Sequence, residues 1–243
     1  MQIDALAVRL RPRPMAEAAD LGVLLVRRHM RSIVRTWGPL YLVFALLALA
    51  TAEFGSWIPG AVIFCAKPWL DRSLMFVLSR AIFGEDTRWA DLWAQRSAVW
   101  WGDLLSTLTV ARLSPWRSYT QAIGQLEGQR GRARHTRRNQ MLRGKRGAAG
   151  GMQFVFSNAE MVLCFGLFAL ALWFAPESAR GSLWDWMFQG DSLANALASN
   201  ALYALVVLVL EPFYVAAGFA MYLNRRVELE AWDVEQEFRR AFA

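Results

Sequence analysis

The chain is short of the residues that make chemistry by converging. Its 243 residues include 2 cysteines and 2 histidines. Cys65 and Cys164 each sit inside an apolar stretch, which favours burial over a disulfide and says little about redox compartment. His29 and His135 lie among arginines, with no further ligand at short spacing, so no metal site is expected. No glycine-rich phosphate loop and no nucleophile with a matching base is visible. Neither a cofactor nor a catalytic residue is therefore expected, and the chain does not read as an enzyme. Residues 1–14 are charged and punctuated by proline, unlike the apolar core of a cleavable signal peptide.

What the chain has is apolar length and positive charge. Hydrophobic residues make up 56%, with 12 Trp and 15 Phe, and 27 Lys plus Arg stand against 20 Asp plus Glu. A basic nucleic-acid binder does not need such apolar runs, whereas membrane helices joined by basic segments do. The expected fold class is an all-α integral membrane protein. Four transmembrane helices form two hairpins, amphipathic helices lie at the interface, and both termini face the cytoplasm from a bacterial inner membrane.

The first half, residues 1–111, opens with a predicted surface helix over 15–37. Ala18, Leu21, Leu25, Met30, Ile33 and Trp37 share one face, with Arg27, Arg28, Arg31 and Arg35 elsewhere, an arrangement that lets arginines reach lipid phosphates. Gly38 and Pro39 then open a span over 38–54, short enough that it either tilts little or takes up the preceding helix. The turn at 55–60 has no Lys or Arg and is expected outside. A second span over 58–83 holds Lys67, Asp71 and Arg72; hydropathy underrates it, but it must return the chain to the basic side. A Trp-rich surface helix is expected over 86–111, capped by Asp86 or Thr87, with Trp89, Trp93, Trp100, Leu104, Leu108 and Ala111 on one stripe. Ser114 and Pro115 end it, and Trp116, Tyr119, Ile123 and Leu126 form a shorter stripe.

Residues 112–151 form a basic cytoplasmic segment. Arg130, Arg132, Arg134, Arg137, Arg138, Arg143, Lys145 and Arg146 occur there with no acidic residue between 130 and 146. Each such charge near a bilayer is worth about 1 kcal/mol toward anionic headgroups, and the cluster marks the inner side. Nucleic acid is an unfavoured partner, because aromatics are not interleaved with the basic residues. Residues 147–151 read as a glycine hinge. The second half, 152–243, then carries a span over 152–175 with Glu160, an outer loop whose only basic residue is Arg180, and a span over 199–223. Asp191 or Ser192 is expected to cap the helix leading into that last span. A closing acidic helix over 225–240, with Glu228, Glu230, Asp233, Glu235 and Glu237, shares the inner side with the basic segment and is placed to contact it.

Glu211 and Pro212 stand near the middle of the last apolar run. A carboxylate there costs roughly 2.5–3.5 kcal/mol on insertion scales unless it meets a partner or water. Proline also leaves one helical carbonyl without its donor. Lys67 and Pro68 repeat the pattern, each pair preceding an aromatic, and Arg80 follows Lys67 by 13 residues as Asn224 follows Glu211. At ~1.5 Å per residue both pairs lie at about the same depth, as in a chain built from two copies of one unit. Two pairings stay open: Lys67 with Glu211 across the seam between halves, or Lys67 with Asp71 on one helix face.

Three stretches, KPWLDRSLMFVLSRAIFGE, LSPWRSYTQAIGQLEGQRGRAR and YLNRRVELEAWDVEQEFRR, carry a resemblance. They resemble an uncharacterised family of bacterial inner-membrane proteins whose genes commonly accompany MoxR-type AAA+ ATPases, von Willebrand A proteins and transglutaminase-like membrane proteins. More distantly, EPFYVAAGFAMYLNRRVELEAWD is similar to the closing segment of the membrane domain of some glycerophosphoryl diester phosphodiesterases, without their catalytic domain. The resemblance implies a topology and a class of partners, other membrane proteins and an AAA+ ATPase system, and carries over no catalytic residue. Relatives are often longer, so a short member and an N-terminal portion are both open, as is a homo-oligomer. The functional expectation is a non-enzymatic membrane scaffold or assembly subunit of an envelope complex. The alternative is a transporter or channel-like subunit with a polar path through Lys67, Glu160 and Glu211.

Overall fold

A computed structural model describes residues 12–102, 114–188, 190 and 192–230. Among them every regular element is helical: α1 (Met15–Leu49), α2 (Ile58–Ala81), α3 (Trp89–Ala94), α4 (Arg117–Gln125), α5 (Gly131–Leu142), α6 (Arg146–Phe174), α7 (Glu177–Phe188) and α8 (Leu193–Glu230). A 3-10 turn, Ala50–Phe54, continues α1, and a π turn, Ser97–Trp101, follows α3.

Three of these segments, Met15–Phe54, Arg146–Phe174 and Leu193–Glu230, are long and apolar enough to cross a membrane. α2 has 24 residues but carries Lys67, Asp71, Arg72 and Arg80, so it falls outside that group by composition. At 38 residues, α8 is roughly 57 Å long and overhangs a hydrocarbon layer of ~30 Å.

The core is α1 and α8 crossing with α2, closed by α4. Where α1 meets α8, Gly22 is tight: a Cβ there would overlap the carbonyl of Ala216. The Tyr41 hydroxyl donates to the Ala204 carbonyl at 2.8 Å. At the opposite end of α8, Asn224 accepts from the Arg13 amide at 2.9 Å and donates to its carbonyl at 2.8 Å. The two long helices are thus fixed at three heights.

Several expected boundaries shift. The surface helix over 15–37 and the span over 38–54 are one helix. Pro39 lies inside it, and the residue with non-helical dihedrals is His29, at φ −107° and ψ 20°. An internal proline forfeits one hydrogen bond without ending a helix whose neighbours hold it; here Trp37 stacks on Tyr41 at 4.9 Å across the proline. The Trp-rich helix over 86–111 is cut short: α3 ends at Ala94, and 103–111 lie outside the described residues. The cause is α2. Arg72 donates from Nε to the Val99 carbonyl and from Nη2 to that of Ala98 at 3.0 Å, while the Trp69 indole takes Trp100 at 3.2 Å. Carbonyls turned toward another helix are lost to the α pattern, and a π turn results. The expected cap is also displaced, since Arg88 occupies the N-cap and its amide donates to Asp91 at 2.9 Å.

The glycine hinge at 147–151 is the first turn of α6, where Ala149 is buried and Gly150 lies against the Trp116 indole. The outer loop after α6 is largely helical, as α7. Ser192 receives the Asn195 amide at 3.2 Å, as its capping role predicts. The last span and the start of the acidic helix are continuous in α8; Asp233, Glu235 and Glu237 lie outside the described residues.

Candidate functional site: an ionic chain between the core helices

Arg117, the first residue of α4, organises the site. Its helix is short but buried along almost its whole length, Arg117 to Ile123, and its polar side chains are occupied by other helices. The Trp116 indole donates to the Arg146 carbonyl at 3.1 Å, and Tyr119 donates to that of Met141 at 2.8 Å. Gln121 donates to the Pro68 carbonyl at 3.1 Å and Gln125 to that of Arg72 at 2.7 Å. On the other side, Gly218 of α8 leaves no room for a Cβ because Ser118 fills the space. The Ser118 amide donates to the Tyr214 hydroxyl at 3.3 Å, and that hydroxyl donates in turn to Gln153. Small residues on α8 and amides on α4 together place a guanidinium in the middle of the helices.

Five ionisable groups then form an alternating chain. Lys67 Nζ lies 2.6 Å from Glu160 Oε2 and 2.9 Å from Glu211 Oε2. Arg117 Nη2 lies 2.7 Å from Glu211 Oε1 and 3.2 Å from Asp71 Oδ2. The Arg117 guanidinium also stands 5.0 Å from the Tyr214 ring centre. Asp71 is 0%, Glu211 3%, Arg117 4% and Lys67 5% exposed; Glu160 is the accessible end, its side chain 21% exposed. Removing an ion from water costs several kcal/mol, recovered only by close partners. The order Glu160, Lys67, Glu211, Arg117, Asp71 gives each internal member two such partners.

At the Glu160 end the chain borders a cavity of about 380 Å³. Lys67, Arg117, Glu160 and Glu211 form its polar wall, and Phe64, Phe156, Phe165 and Tyr203 are among its apolar lining. Phe64 and Phe165 are half exposed on the outer surface of the helices.

Of the residues expected to be polar within the spans, Lys67, Asp71, Glu160 and Glu211 come together and Arg72 does not, being spent on the π turn. The Lys67–Glu211 contact is made. The local Lys67–Asp71 alternative is not, because Asp71 turns to Arg117, the member sequence reasoning missed. Arg117 lies between Trp116 and Tyr119 of the shorter apolar stripe without belonging to it, and the signal available was an arginine directly after Ser-Pro-Trp with no acidic neighbour on its own helix. Both prolines lie buried inside helices, Pro68 in α2 and Pro212 in α8.

The basic segment divides. Arg137 pairs with Glu127 at 2.8 Å and with Glu230, and Lys145 with Glu228 at 2.9 Å. Arg138 lies 5.5 Å from the Trp116 ring centre, and Arg134 packs beside Gly124. Arg130, Arg132, Arg143 and Arg146 are exposed. Among the described residues no three His, Cys, Asp or Glu side chains converge to hold a metal ion. Comparison of the chain with protein-family models, curated proteins and solved structures finds no match.

Proposed function

We propose that this chain is a membrane-embedded scaffold, an assembly subunit of a bacterial envelope complex. It spans the inner membrane four times as two hairpins, α2 serving as the fourth span, with both termini in the cytoplasm. The observation that carries the reading is the ionic chain: each of its members stands against at least one opposite charge from another helix, so the helices are tied together rather than held apart around an open path. Two further features support it. α6 buries only Ala149 among its 29 residues, leaving an apolar face free for other membrane proteins. The exposed arginines at 130, 132, 143 and 146 suit anionic headgroups and acidic partners. The family resemblance names the partner class, a MoxR-type AAA+ ATPase system with its companion membrane proteins.

The test is purification of the tagged chain in mild detergent with mass spectrometry of what accompanies it. Stoichiometric membrane subunits or an AAA+ ATPase are expected. A chain that purifies as a bare monomer, or only with copies of itself, overturns the reading. The cavity favours a second reading, a transporter or channel-like subunit. Ion flux in proteoliposomes that Glu211→Gln abolishes would select it over the scaffold.

A further inference from the structure

Asp71 is fully buried, yet among the described residues neither of its carboxylate oxygens accepts a hydrogen bond. Its only close ion contact, 3.2 Å to Arg117 Nη2, is made to a nitrogen that stands closer to Glu211, at 2.7 Å. One nitrogen serving two carboxyl groups makes Asp71 and Glu211 close neighbours. Two acceptors in contact repel unless a hydrogen lies between them. The charge count agrees: two cations, Lys67 and Arg117, face three carboxyl groups, Asp71, Glu160 and Glu211.

Every element packed around Asp71 bears on this. From α2 comes Lys67, committed to Glu160 and Glu211. From α4 comes Arg117, whose Nε also lacks an acceptor among the described residues. From α8 come Glu211 and Tyr214, and the Tyr214 hydroxyl is occupied by Gln153 and the Ser118 amide. From α1 the Tyr41 hydroxyl is bonded to the Ala204 carbonyl. None supplies the missing donor. We propose that the site binds one proton, carried by Asp71 and donated to Glu211, so that the five groups together are electrically neutral. Asp71 is then a carboxylic acid whose O–H completes the hydrogen bonding of Glu211. The cavity at Glu160 is the side from which that proton exchanges with solvent. Release leaves one uncompensated negative charge inside the helices, so deprotonation and opening of the seam are linked.

Infrared spectroscopy of the intact purified protein at neutral pH tests this. The C=O stretch of a protonated carboxylic acid is expected, moving on incorporation of carbonyl-labelled aspartate and not of labelled glutamate. Asp71→Asn, whose amide can donate where the acid did, is expected to lose the band and to unfold with the wild type. If Asp71→Asn fails to accumulate, the aspartate label in the wild type decides alone. Absence of the band, or its movement with labelled glutamate, overturns the proposal. Neither result touches the scaffold reading, which stands or falls on co-purification.

Discussion

Two charged networks occupy this molecule, and they differ in what surrounds them. In the centre, Lys67, Asp71, Arg117 and Glu211 are almost completely buried and Glu160 partly so. At the Arg225–Arg226 end of α8, Arg137, Glu127, Lys145, Glu228 and Glu230 also pair closely, but their side chains keep between 9% and 25% of their surface open. The same chemistry has opposite meaning in the two places. A buried charge that loses its partner cannot turn to water, while a partly exposed one can.

The largest expected effect is therefore at the centre. Glu211→Leu takes the shared partner from Lys67 and Arg117, leaving them only Glu160 and Asp71, and should cost about 3–5 kcal/mol, read as loss of folded protein by size-exclusion chromatography and thermal unfolding in detergent. Adding Lys67→Met to Glu211→Leu should recover part of that loss, and the double-mutant cycle gives the coupling. A smaller effect belongs to the packing that delivers Arg117: Gly218→Val forces Ser118 away from α8 and should cost roughly 1–3 kcal/mol by the same melts. The smallest is Glu230→Gln, which leaves Arg137 with Glu127 and should cost ~0–1 kcal/mol. That last difference should shrink further as salt is raised, because exposed pairs are screened. If Glu230→Gln proved as damaging as Glu211→Leu, the contrast between the two networks would be gone.

How much of this was legible follows the same division. Glu211 and Lys67 announced themselves because a charge beside a proline is anomalous in an apolar run, and an anomaly of known cost demands a partner. Arg117 did not, since an arginine among tryptophan, serine and tyrosine looks like an interface residue until Gly218 and Gln121 show that its helix is buried. Periodicity located the start of α1, apolar length located α6 and α8, and the need to return the chain to its basic side located α2. The sequence left open whether the helix runs on through Pro39 and read residues 147–151 as a hinge, because breakers act on isolated helices and these are held by Tyr41, Trp116 and α8. The end of α3 was unreadable for a related reason: the competing donor, Arg72, comes from another helix.

The spacing of the central contacts along the chain bears on how the protein is made. Lys67 finds Glu160 across 93 positions, and Arg117 finds Glu211 across 94. When the ribosome has finished α2, none of the residues that neutralise its lysine has been synthesised, and the amide that caps the Pro68 carbonyl is 53 positions away. A helix carrying Lys67, Asp71 and Arg72 has none of its ionic partners from other helices at that moment. The network closes only when α8 emerges, so the first half of this chain is completed by its last described helix, and truncation before Glu211 should leave Lys67 and Arg117 short of a partner.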